Sequence, residues 1–139
     1  MNNHATFEDL IARKLEREAR RERTYEIAVK GMERPLRMDH PSAMRQLDLM
    51  DELKTVDGLA DLAELYVRLI YDCCPVFRAK ETQEALDAVD PYDAIRTVFE
   101  PLEIIEIGDQ FCVACGLIEK PAKGDEADKG NSLNDQVKN

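Results

Sequence analysis

Apolar and polar positions change their spacing several times along the chain, and each change marks an element. Over residues 6–23, Phe7, Leu10, Ile11, Leu15 and Ala19 recur at helical spacing inside a charged surround. Thr6 is placed to cap this helix, and Glu8 and Asp9 lie where the helix dipole favours negative charge. The stripe is narrow. It predicts a helix that needs to dock, either on the body of the protein or on a partner. Residues 24–38 switch to alternation: Tyr25, Ile27 and Val29 alternate with Glu26, Ala28 and Lys30, and Leu36 and Met38 share a face after a turn at Gly31. A β-hairpin follows, with its second strand at an edge because Pro35 has no amide to donate. A lone hairpin is marginally stable in water and needs helices packed on its apolar side.

Two helices are expected over 39–74. Pro41 suits a first helical position, and Met44, Leu47, Met50 and Leu53 recur every three residues until Asp57–Gly58. The next helix, with Leu59, Leu62, Ala63, Tyr66, Leu69, Ile70 and Cys73, is the most apolar stretch and is expected at the centre of the core. Pro75 stops it. A short helix is expected over 79–89, carrying Ala85, Leu86 and Val89. The run Asp90–Pro91–Tyr92–Asp93 reads as the start of another, with Ile95, Val98 and Phe99 on one side. After Pro101, residues 102–107 read as a turn of helix. Asp109 then reads as the cap of a last helix that bears Phe111, Cys112 and Cys115 and closes at Gly116. From Lys120 the chain is polar and aperiodic, the mark of a disordered tail. The expected fold is mainly α: a small helical domain with one N-terminal β-hairpin. It divides into a charged helix over 1–23, a helical domain over 24–117 and a polar tail over 118–139. Leu62, Tyr66, Leu69, Ile70, Ile95 and Phe99 are the expected core.

Composition narrows the function. The 139 residues fit one domain, and 44% hydrophobic residues can supply a core that must be aliphatic, since Trp is absent and 6% are aromatic. The net charge of −10 argues against a general nucleic-acid binder, which needs a basic face. Charge is uneven: residues 1–38 carry a net of +2 and residues 39–139 a net of −12, with basic residues densest between Arg13 and Arg23. Such asymmetry can steer a partner or orient an oligomer. No run approaches the ~20 apolar residues of a membrane span. The opening MNNHATFEDL lacks the basic and apolar regions of an export signal.

Four thiols invite a metal reading, because four thiolates suit tetrahedral zinc. Cys73 and Cys74 are adjacent, however, which is poor chelate geometry, and Cys112 and Cys115 lie in apolar FCVACGL. Core packing is the expected role, and no metal or other cofactor is expected. His4 and His40 stand beside no nucleophile or second ligand in sequence, so His40 reads as a turn or cap residue. No phosphate loop or nucleophile motif is present, and catalysis is not expected.

Two segments together carry a family resemblance. TYEIAVKGMERPLRMDHPSAMRQLDLMDEL is a hairpin leading into a helix, and DPYDAIRTVFEPLEIIEIGDQFCVACGL is a capped helix, a Pro-led acidic and isoleucine segment and a final helix ending in Gly. Over residues 24–117 the chain resembles the XkdN-like tail assembly chaperones of long-tailed phages and prophages. Pro101, Glu103, Ile104 and Gly116 match the family's C-terminal pattern, and Cys115 stands where it has serine. The basic helix at 6–23 and the four cysteines are less typical of it. The resemblance implies a non-enzymatic protein of the bacterial cytoplasm. Its partner would be the tape-measure protein, a long helical chain with exposed apolar stripes, and the tail-tube protein is a further candidate. Homo-oligomers are also possible partners, whereas nucleic acid and membranes are not expected ones. The stripe of Phe7, Leu10, Ile11 and Leu15 is the candidate protein-binding surface, since residues 44–99 already supply a core. The alternatives are an unrelated acidic helical adaptor or regulatory protein, and a zinc-dependent regulator.

Overall fold

A computed structural model describes residues 3–119. The first helix, α1 (Phe7–Arg21), begins at a capping box: the Asp9 carboxylate accepts from the Thr6 amide at 2.8 Å, and the Thr6 hydroxyl accepts from the Asp9 amide at 3.3 Å. Two donors that the helix start would leave unpaired are thereby satisfied. Strands β1 (Thr24–Ile27) and β2 (Leu36–Asp39) form the hairpin, with Tyr25 opposite Met38 and Ile27 opposite Leu36. Those four side chains are buried and the residues between them face outward, as the alternation predicts. Gly31 supplies the positive φ of the connection, +92°.

Six further helices complete the described residues: α2 (Ala43–Thr55), α3 (Leu59–Cys73), α4 (Pro75–Arg78), α5 (Lys80–Ala85), α6 (Asp93–Val98) and α7 (Pro101–Ala114). The fold is helix-dominated α+β, as the sequence predicts. Helix α3 is the hub. Seven of its fifteen residues are buried, and α7 packs along it. The approach is close at Gly108, where a Cβ would overlap the Tyr66 ring. The Tyr66 hydroxyl donates to Asp109 Oδ1 at 2.7 Å. Burial, with the Asp109 carboxylate beside it, pushes the Tyr66 phenol well above its ordinary range. Over the next residues α7 meets the hairpin: Phe111 lies edge-on to Tyr25 at 5.8 Å, and the Gln110 amide donates to the Ala28 carbonyl at 3.0 Å. Phe77 of α4 and Phe99 after α6 close the far side, ring to ring at 6.0 Å.

Of the expected core, Tyr66, Leu69, Ile70, Ile95 and Phe99 are buried, and Leu62 is half-buried at the margin. Several boundaries differ from expectation. Helix α2 starts at Ser42, whose hydroxyl accepts from the Arg45 amide at 3.1 Å, so Pro41 precedes the cap. Most of its every-third stripe does not face the core: Met44, Leu47 and Met50 are exposed, whereas Leu53 packs against the core and Leu49 is the fully buried residue. Each three-residue step falls short of a full turn, so four such positions fan across half the helix. The helix expected over 79–89 ends at Ala85. Asp87 takes a left-handed φ of +53°, and the Ala88 amide returns to the Gln83 carbonyl as a C-terminal cap. Val89 lies beyond it, in solvent.

Helix α6 begins two residues after Pro91, with the Asp90 carboxylate accepting from the Tyr92 amide, and Val98 faces outward. The turn and final helix expected over 102–116 are one helix, whose start is fixed across Pro101 by the Glu103 carboxylate accepting from the Glu100 amide at 2.9 Å. Asp109 is therefore a mid-helix acceptor for Tyr66 and caps nothing. Leu117 and Ile118 pack against the core, their amides both donating to the Cys112 carbonyl, so the packed chain runs past the boundary expected at 118. The tail expected from Lys120 lies outside the described residues.

Candidate partner-binding surface

Helix α1 buries none of its residues. Phe7, Leu10, Ile11 and Leu15 are 72%, 63%, 42% and 59% exposed. Of the two docking sites the narrow stripe allows, the body of the protein is thus not the one used. The helix holds itself by local means. The capping box sets its start, Glu16 accepts from Arg13 at 2.9 Å and from Arg20 at 3.4 Å, and Lys14 pairs with Glu18 at 3.7 Å. Exposed pairs of this kind contribute roughly 0.3–0.5 kcal/mol each, so the helix leans little on them. The Thr6 amide, joined by its hydroxyl, holds the Asp9 carboxyl below the ordinary carboxylate range.

The C-terminal half of α1 forms one wall of a groove of about 1000 Å³. Arg13, Arg17, Arg20 and Arg21 line that wall, and Pro41 to Met44 and Cys115 to Leu117 line the other. At its floor, the Tyr25 hydroxyl and His40 Nδ1 lie 2.8 Å apart, and the Gln46 amide nitrogen lies 3.3 Å from His40 Nε2 and 3.0 Å from the Pro41 carbonyl. Both ring nitrogens and the Gln46 amide are paired when Gln46 donates to Nε2 and to Pro41 while Nδ1–H donates to the Tyr25 oxygen. Burial first, then Arg20 and Arg23, hold the His40 pKa below its ordinary value and so favour that neutral ring. His40 thus ties the hairpin to α2, and Ser42 is the cap. No local pattern in the sequence marks this linkage, because its three side chains come from two elements and a loop.

The thiols are all free. Cys73, Cys74 and Cys112 are buried and Cys115 is half-buried. Burial pushes Cys73 and Cys112 up to about 12 and Cys74 up to about 11, and it raises Cys115 as well. Thiols so placed are poor nucleophiles and poor metal ligands at neutral pH. Among the described residues no group of three or more His, Cys, Asp or Glu is arranged to hold a metal ion. Likewise, no described helix is long and apolar enough to cross a membrane. Comparison of the chain with protein-family models, with curated proteins and with solved structures finds no match.

Proposed function

We propose that the protein is a phage or prophage tail assembly chaperone that binds the tape-measure protein through α1 and has no enzymatic role. The resemblance over residues 24–117 supplies the partner. The observation that carries the reading is the unburied stripe of Phe7, Leu10, Ile11 and Leu15 on a helix standing away from an otherwise closed core. An amphipathic helix with an open apolar face binds a second apolar helix by laying stripe on stripe, which removes both from water. The tape measure presents such stripes before the tail tube encloses it. The net charge of the chain, −10, would keep the complex soluble.

The test is co-expression with the tape-measure protein encoded in the same phage or prophage. Wild-type protein is expected to hold it soluble and co-purify with it. Ile11→Asp with Leu15→Asp is expected to abolish both effects while changing the free protein's unfolding free energy by less than about 1 kcal/mol, as for exposed positions. Unchanged capture by the double variant would refute the role of α1. Failure of the wild type to bind would refute the function and favour an adaptor with another partner.

A further inference from the structure

A second unburied face lies on α2, and its chemistry matches α1. Met44, Leu47, Asp48 and Asp51 share one side of α2 at i, i+3, i+4 and i+7, and all four are exposed. On α1, Leu10, Lys14, Arg17 and Arg21 share a side at i, i+4, i+7 and i+11, flanked by Phe7. In both helices the apolar residues occupy the N-terminal half and the charges the C-terminal half. The signs are opposite. Neither Arg17 nor Arg21 has an ion-pair partner among the described residues, and neither has Asp48 or Asp51. Laid parallel with Leu10 level with Met44, the two faces set Lys14 level with Asp48 and Arg17 level with Asp51, and Arg21 follows about one turn beyond Asp51, within reach of its long side chain.

One chain cannot make this match within itself. Its groove places the arginine half of α1 beside Ala43 and Met44, at the wrong end of α2, and the apolar half projects beyond. Two α1 helices laid parallel would set arginine against arginine. We infer that the occupant of the outer face of α2 is α1 of a second copy, and by symmetry the reverse, giving a two-fold dimer that exchanges its N-terminal helices. A two-fold operator makes both contacts at once, which doubles the buried surface. The dimer shares Phe7 and Leu10 with the surface proposed for the tape measure and leaves Ile11 and Leu15, further round α1, open to that partner.

The test is sedimentation equilibrium of the full chain. The wild type is expected to dimerise, with a dissociation constant that rises with salt, because the charge pairs lie at a solvated rim. Leu47→Asp, which leaves the stripe of α1 intact, is expected to weaken the dimer by about tenfold or more. Arg17→Glu with Arg21→Glu is expected to do the same, and adding Asp48→Arg with Asp51→Arg is expected to restore it. That rescue separates pairing from any fault in folding. A monomeric wild type, a dimer indifferent to Leu47→Asp, or reversed charges that fail to restore association would each overturn the inference. Tape-measure capture is read separately: Leu47→Asp is expected to retain it.

Discussion

Gly108→Ala tests the packing on which the body of the protein depends. Gly108 lies in the middle of α7, where alanine should by itself favour the helix by about 1 kcal/mol. The new methyl would overlap the Cγ and Cδ atoms of Tyr66, the rigid base of the ring and not its free end. Tyr66 is 1% exposed, so the ring has no open space to enter. Overpacking of this kind costs about 1–3 kcal/mol, toward the upper end where neither side yields. Displacing the ring also stretches the bond from its hydroxyl to Asp109, a further ~0.5–1.5 kcal/mol, held down because Asp109 reaches water. The expected net is a loss of about 2–3 kcal/mol, read as a lower urea midpoint at unchanged slope. Tyr66→Phe, which loses only the hydroxyl bond, should cost about 1 kcal/mol. In a Tyr66→Ala background the sign should reverse, because the obstruction is gone and helix propensity alone remains. A Gly108→Ala protein as stable as the wild type, or more so, would refute the close approach of α3 and α7.

Leu69→Ala should cost about 2–5 kcal/mol in the same assay, and a loss below about 0.5 kcal/mol would refute its place in the core. His40, whose folded pKa is depressed, contributes stability that is fully present above its ordinary value of 6.5 and is lost as pH falls below it. His40→Gln should flatten the stability profile on the acid side of that value, and an unchanged profile would remove His40 from the linkage. Of the four thiols, Cys115 should react first with a disulfide reagent under native conditions, and Cys73, Cys74 and Cys112 only on unfolding. Fast native labelling of all four would show that the core is open.

What the sequence made legible follows from how locally each feature is determined. The capping signal at Thr6, the period-two run from Tyr25 to Val29 and the apolar density of α3 are written within a few residues of where they act, and they mark the right elements. The single helix over 101–114 was harder to read. Its start is fixed by Glu100 and Glu103 around Pro101, and a proline reads equally well as the end of α6. The outward face of α2 is hidden from the sequence for a geometric reason. A strict three-residue repeat imitates a core stripe, yet the residues that point inward are Leu49 and Leu53, one turn apart, with Val56 after them. The half-buried Arg45, held by Asp72 at 2.8 Å and Glu52 at 3.2 Å, occupies another part of that inner side.

The same limit bears on the two candidate surfaces. Sequence spacing identified α1 as amphipathic, but whether its stripe was covered depended on where the hairpin aimed the helix, and no local pattern records that direction. Once the direction is fixed, Met44 and Leu47 change from core residues to exposed ones, and Arg17 and Arg21 from a solvated face to one wall of a groove. Two open apolar faces carrying opposite charges, unpaired among the described residues, would be an aggregation liability on a chain this small if nothing covered them. A surface matched to one occupant by stripe and by charge escapes that liability. The reversed charges at positions 17, 21, 48 and 51 measure that match directly, because they leave the apolar contacts in place and alter only which copy can recognise which.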